Sequence, residues 1–270
     1  MPQAWRPSPT LRISFAVHAG AALGALLAPG VWPWALGAFA ANQALLTAAG
    51  LLPRSSLLGA NLIRLPAAAS ARREIALTID DGPDPEVTPR VLDLLDAAGA
   101  RASFFCIGHR ARRFPALCRQ IVARGHRVEN HGDSHSLIFA TFGMRRLRAD
   151  IAAAQATLAD ITGQAPCFFR PTAGLRSPLL DPVLAQLDLR LAAWTRRAYD
   201  TREGDPQRVC QRLTRGLGPG DILLLHDGNA ARSQAGEAVL LTVLPQLLQT
   251  IAENRLEPVT LAAALSLRSS

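Results

Sequence analysis

Between Ile13 and Pro53 the chain has no Asp, Glu, Lys or Arg. A run of that length without charge is unsuited to the outer surface of a water-soluble domain and reads as membrane-seeking. Cysteine is sparse: Cys106, Cys118, Cys167 and Cys210 show no paired spacing, so they neither demand nor exclude an oxidising compartment. Cys106 follows Phe104-Phe105 and Cys167 precedes Phe168-Phe169, the setting of buried, inert thiols. Aromatic residues make up 5% of the chain, and no aromatic-studded basic stripe accompanies the net charge of +8, which argues against a nucleic-acid partner. The excess of arginine, with a pI near 10.9, suits anionic lipid and phosphate-bearing substrates, or simply a solvated surface. No internal repeat or low-complexity linker interrupts the chain beyond the uncharged run.

The uncharged run divides at Pro29-Gly30 into Ile13 to Ala28 and Val31 to Leu52. The second segment is long enough to cross a bilayer as a helix, and the first is marginal against the roughly 20 residues needed. Two short spans joined by a turn from Ala28 to Pro33 are expected, with Trp5, Trp32 and Trp34 near the span ends as interfacial anchors. A single span or uncleaved anchor is one alternative, and a cleaved secretory signal peptide with Arg6 and Arg12 as its basic region is another, though a second apolar segment of span length argues against cleavage. Arg6 and Arg12 flank one side, Arg54, Arg64, Arg72 and Arg73 the other, and the turn carries no charge. The positive-inside rule then puts both ends in the cytoplasm, on an inner (cell) membrane anchor. The chain thus divides into a membrane-anchoring part, 1–66, and a second domain, 67–270.

In that second part, Thr78-Ile79-Asp80-Asp81-Gly82-Pro83 follows the alternating run Glu74 to Leu77. Side chains of opposite parity on a strand point apart, so two adjacent acids serve one site only where the pleat breaks, as it does at Gly82-Pro83. One acid can then bind a metal while its neighbour stays free as a base. Ligands to join it stand at His131 and His135 in His131-Gly132-Asp133-Ser134-His135. On one helical turn, four residues apart, they would share a face, and two His plus a carboxylate make a catalytic site for zinc or a similar divalent ion.

From about Glu74 to Leu261 the chain resembles the polysaccharide deacetylases of the NodB-homology group, carbohydrate esterase family 4. Thr78-Ile79-Asp80-Asp81-Gly82 matches the first motif of that family, His131 to His135 the second, Arg170-Pro171-Thr172-Ala173-Gly174 the third and Leu224-Leu225-His226 the fifth. The fourth departs: in Trp194-Thr195-Arg196-Arg197-Ala198-Tyr199-Asp200-Thr201, Asp200 stands for the second acid, but Arg197 falls where the first belongs and Thr201 replaces a tryptophan. Altered substrate recognition, rather than lost activity, is the reading.

Strand-like runs at 74–79, 102–107, 126–129, 167–169, 189–194, 221–225 and 257–259 alternate with helical ones. Alternation of this kind means parallel strands, whose carboxyl ends carry the site. Asp80, Asp81, His131, Arg170 and His226 follow strand-like runs. The resemblance implies an α/β fold of NodB type, a distorted (β/α)7 barrel, here preceded by the hydrophobic membrane hairpin.

By the same resemblance, Asp81, His131 and His135 hold one divalent metal ion, most commonly Zn2+, and Asp80 is the general base that activates water. Arg170 tunes Asp80, the backbone N–H of Ala173 stabilises the oxyanion, and His226 protonates the leaving amine. Leu224 and Asp200 fall among the substrate-binding positions. Asp84 and Asp133 are expected behind the metal ligands, and His18, His109 and His126 are bystanders. The expected activity is hydrolysis of an N-acetyl or small N-acyl group from an amino sugar. A cytosolic face implies a sugar on a lipid carrier, and an inverted hairpin implies peptidoglycan or exported polysaccharide. A non-catalytic membrane scaffold is the opposing class, and metal content separates the two.

Overall fold

The computed structural model describes residues 5–266; residues 1–4 and 267–270, at the outer ends of the two expected divisions, lie outside them. Helix α1 (Pro9–Leu27) is opened by Pro9 in its first turn and by Ser8, whose hydroxyl accepts the Leu11 N–H at 3.2 Å. A 3₁₀ turn at Pro29–Val31 reverses the chain into α2 (Trp32–Leu51). The two helices pack against each other around a small polar cluster. Asn42 Nδ2 donates to Ser14 Oγ at 2.7 Å and lies 3.1 Å from His18 Nε2, while the His18 and Phe39 rings stand 5.1 Å apart. Ile13, Phe15, Leu26, Trp34 and Leu36 face outward and exposed. Among the described residues α1 alone is long and apolar enough to cross a membrane, a test that a signal sequence also passes. The sequence ranks the two segments the other way on length; α2 is as long, but Trp32, Trp34, Asn42 and Gln43 dilute it.

Eight parallel-paired strands come after the hairpin: β1 (Glu74–Asp80), β2 (Ala102–Cys106), β3 (Arg127–Asn130), β4 (Phe168–Phe169), β5 (Arg190–Leu191), β6 (Arg196–Arg197), β7 (Ile222–His226) and β8 (Glu257–Val259). Their order is β5-β4-β3-β2-β1-β7-β6, with β8 also pairing with β1. This is the curled parallel half-barrel of the NodB-type fold. Seven strands stand where the sequence places them, several of them shorter. The eighth, Arg196–Arg197, carries no strand-like pattern, because its backbone pairing with β7 is set by tertiary context. The seam left by the open curl is lined by the stretch after the hairpin: Leu62 N–H donates to Leu191 O at 3.0 Å, Ala193 N–H to Leu62 O at 2.9 Å, and Leu65 N–H to Gly220 O at 2.9 Å.

The connections are α3 (Ala67–Ala71), α4 (Thr88–Ala97), α5 (Gly108–Arg113), α6 (Pro115–Ala123), α7 (Met144–Thr162), α8 (Leu180–Gln186), α9 (Pro206–Thr214), α10 (Val239–Glu253) and α11 (Leu261–Ala264). Parity on β1 separates two cores. Ile75, Leu77 and Ile79 join Phe104, Leu223 and Leu225 under Leu92, Leu95, Leu244 and Leu247 of α4 and α10. Ala76 faces the inside of the curl with Phe105, Phe168, Leu224 and Trp194. Thr78 and Asp80 share the parity of Ala76, so the strand carries its last polar side chains into the inside of the curl.

Candidate active site

Asp80 ends β1 directly beside His226 at the end of β7, its partner in register. Beyond it the chain takes a left-handed turn at Asp81 (φ 73°) before the cis Gly82-Pro83 bond, and this turn brings the second carboxylate round to the same side as the first. Gly82 and Gly228 permit the close approach. A Cβ on Gly82 would come within 2.6 Å of the Asp227 carboxylate, and one on Gly228 would collide with the Asp81 carbonyl.

His131 and His135 do converge, but not on a helical turn: residues 131–135 form a loop after β3, with Gly132 at φ 77° and His135 at φ 48°. Left-handed turns replace the expected helix in bringing the rings to 5.0 Å between centroids. The loop is held from α7 by Asp150, whose carboxylate accepts the N–H groups of Asp133 and Ser134, each at 3.0 Å.

Asp81 Oδ1 lies 3.1 Å from His131 Nε2 and 2.9 Å from His135 Nε2, and the three donor atoms fall within 4.8 Å of one another. His131 Nδ1–H donates to Arg170 O at 2.7 Å, which fixes the tautomer and leaves Nε2 free to act as a ligand. Asn229 Nδ2 donates to Asp81 Oδ2 at 3.0 Å, so the other oxygen is the one turned to both rings. Burial works against charge on Asp81, yet the two histidines hold its carboxyl below the usual carboxylate range. Two imidazole nitrogens and one carboxylate oxygen, with their outer atoms already braced, fit a divalent transition metal.

Arg170 is fully buried over the Phe105 ring, 4.1 Å from its centroid. It donates to Asp80 Oδ1 at 2.6 Å, to Thr78 Oγ1 at 2.9 Å and to the carbonyls of Ala192 and Ala193 at 3.1 and 2.9 Å. Asp80 Oδ2 is 3.8 Å from His131 Nε2. His226 Nδ1 lies 2.8 Å from Asp200 Oδ1, and the His226 backbone N–H donates to Asp200 Oδ2, also at 2.8 Å. Burial opposes the imidazolium, but the Asp200 carboxylate, helped by Asp80 and Asp81, lifts His226 to about 9.

The pocket over these groups, about 160 Å³, is lined by both acids, both metal-site histidines, His226, Ala173, Leu224 and Arg197. Ala173 is left-handed (φ 56°). Asp200 is not on this wall. It is fully buried with both oxygens committed to His226, which corrects its expected place among the substrate contacts. Neither acid expected behind the ligands is there. Asp84 accepts the N–H groups of Glu86 and Val87, and Asp133 pairs with Arg112 at 2.6 Å. His126 donates nothing to the site: its Nδ1 accepts the Ala102 N–H at 3.2 Å. His109 Nδ1–H donates to Asp133 O at 2.8 Å. Asn229 and Arg110, which bonds Asp81 O at 2.7 Å and Asn229 Oδ1 at 2.9 Å, escape the sequence reading. The polar turn Asp227-Gly228-Asn229 directly after a strand end was the available signal for Asn229.

Residues 67–192 match the polysaccharide deacetylase family. The chain is 34% identical over 175 residues to a peptidoglycan-N-acetylglucosamine deacetylase of Bacillus cereus, spanning 64% of this chain and 81% of that protein. It is 33% identical over 155 residues to a chitooligosaccharide deacetylase of Azorhizobium caulinodans, spanning 57% and 73% of the two. A solved family 4 carbohydrate esterase from Streptomyces lividans, in complex with acetate, is similar at a TM-score of 0.64 and 28% identity, over 73% of this chain and 96% of that one.

Proposed function

This chain belongs to the polysaccharide deacetylase family, carbohydrate esterases that hydrolyse carbon–nitrogen bonds, and from that premise we propose a membrane-anchored, metal-dependent deacylase acting on an amino sugar carried by a lipid. What carries the lipid reading is where the hairpin meets the barrel. Arg176 N–H donates to Gly50 O at 3.1 Å, Arg54 Nη1 to Thr195 O at 3.2 Å, and Pro53 packs where a Cβ on Gly174 would lie 2.7 Å away. Gly174 and Trp194 are themselves pocket residues. A sugar in this pocket lies beside the membrane anchor, where a lipid carrier would hold it.

A divalent ion at Asp81, His131 and His135, zinc by the chemistry of the donor set, would polarise the acyl carbonyl and acidify water. Asp80 then takes the proton from the attacking water. Arg170, positioned by its other acceptors, holds Oδ1 of that base and leaves Oδ2 for the proton. The backbone N–H of Ala173 serves the oxyanion. His226, kept charged by Asp200, protonates the leaving nitrogen and remains an acid well above neutrality. A pocket of about 160 Å³ suits an acetyl-sized group over the Leu224 side chain. With both helices crossing, arginines on both flanks of the hairpin favour a cytoplasmic catalytic domain at the inner membrane. On this reading 1–66 anchors and 67–270 catalyses.

The names of the relatives favour a second reading, a periplasm-facing deacetylase of peptidoglycan or another glycan polymer. A reporter fused after Ser270 and labelling of a Gly30→Cys variant with an impermeant reagent decide between them. Cytoplasmic reporter signal, external labelling and accumulation of the acylated lipid-linked sugar in a deletion strain are expected. A periplasmic reporter with unchanged lipid extracts would hand the substrate to the polymer.

A further inference from the structure

Beside the catalytic pocket lies a larger cavity, about 930 Å³, formed by the stretch Leu52 to Leu57 that leaves the hairpin and by Trp194 to Arg197, Tyr199, Arg212 and Arg215. Trp194 and Arg197 line both spaces, so the two share a wall. Among the described residues, five arginines and no Asp or Glu line the cavity. Two of the five are already paired with acids. Arg196 pairs with Asp221 and donates to the carbonyls of Arg215 and Gly216, and Arg212 pairs with Glu203 at 3.1 Å. Among the described residues, Arg54, Arg197 and Arg215 have no acidic partner. Arg197 is the sharpest case. Its guanidinium is held over the rings of Trp194 and Tyr199, 5.3 and 4.9 Å from their centroids, and its buried Nε–H has no acceptor. A buried donor left unmet is costly unless something arrives to accept it.

The order of chemistry across the molecule is sugar pocket, three uncompensated guanidinium groups, then apolar surface at Leu51, Leu52 and Leu57 running onto α2. We propose that this cavity binds the phosphate that joins the amino sugar to an apolar carrier, with Arg54, Arg197 and Arg215 as its donors and the carrier chain laid along the end of the hairpin. Guanidinium forks match phosphate oxygens two at a time, which a carboxylate-free wall leaves them free to do. The site deepens the lipid-linked reading and rests on it. It also accounts for an arginine at a position where the family resemblance leads one to expect an acid.

The test uses the full chain in dodecyl maltoside micelles, with calorimetric binding of farnesyl phosphate, farnesol and inorganic phosphate and, separately, hydrolysis of a lipid-linked amino sugar. Farnesyl phosphate should bind at least about tenfold tighter than either of the others. Arg54→Gln and Arg215→Gln, both at exposed positions, and Arg197→Gln should each weaken it about tenfold, while Arg119→Gln, on the exposed face of α6, should leave it unchanged. Equal affinity for farnesol, affinity for inorganic phosphate matching that for farnesyl phosphate, or indifference to all three arginine variants would overturn the site. Binding that behaves as expected in a protein unable to hydrolyse a lipid-linked amino sugar would keep the site and remove the functional reading. Hydrolysis of that sugar with an unchanged KM in the three variants would keep the reading and remove the site.

Discussion

Replacing Asp200 by Asn separates the acid role of His226 from its mere presence. In the folded protein Asp200 gives His226 both a charge and two hydrogen bonds at 2.8 Å, and the imidazole stands at about 9 against an ordinary 6.5. At about 1.4 kcal/mol per pH unit, that corresponds to roughly 3 kcal/mol in favour of the imidazolium. Asn keeps the shape and loses the charge, so burial, the largest influence on His226 and one that lowers it, is left without its main counterweight. His226 should then fall to 6.5 or lower. At pH 8 the protonated fraction drops from about 90% to about 3%, a loss of about thirtyfold in turnover, largely recovered below pH 6. The assay is the pH dependence of kcat by acetate release, with the His226 ring followed by NMR titration. The stability effect has the same sign. Because the folded value is raised, the stabilisation is complete below about 6.5 and is lost as pH rises through about 9. A basic limb that stays near 9 in the variant, or a loss equal at every pH, would refute the assignment of His226 as the acid that Asp200 keeps charged.

Asp81→Ala, His131→Ala and His135→Ala should each abolish metal uptake, read by elemental analysis, while circular dichroism shows an intact fold; full occupancy in any one removes it from the ligand set. Asp80→Asn should retain the metal and lose at least about 10² in kcat, because only the base is gone, and near-normal turnover would take Asp80 out of the mechanism. Asn229→Ala frees Asp81 Oδ2 and should weaken metal affinity about 10- to 100-fold, measured by chelator competition, and an unchanged affinity would show that the Asn229 contact does not orient the ligand.

What the sequence displayed well was chemistry at strand ends. Asp80-Asp81 and His226 could be placed because an apolar run stopping at a charged residue marks the place where a buried strand emerges. Spacing served less well where the backbone leaves regular structure. His131 and His135 sit at helical separation yet meet through positive-φ turns, and nothing in the residue types declares a left-handed His135. Asp200 was placed by alignment with a motif, and a motif says which residue but not which way it faces. In this chain it faces the imidazole. β6 escaped because two arginines pair with β7 through their backbones alone. Asp150, Arg110 and Asn229 reach the site from α7, α5 and the turn after β7, and long-range braces of that kind leave no periodic trace in a chain.

Asn42, clasped between Ser14 and His18, gives the hairpin a register as well as a fold. In hydrocarbon, two smooth apolar helices could slide and swivel against each other, but a buried amide with partners on the other helix has one preferred setting. The far end of the same hairpin is fastened to the barrel through Gly50 and Arg176. Pinned at both places, the pair of helices behaves as a ruler. On the proposed anchored reading it would set the height of the catalytic pocket above the membrane plane, and the enzyme would select its target by elevation, reaching a sugar close to the bilayer surface and passing over the same sugar farther out on a longer glycan.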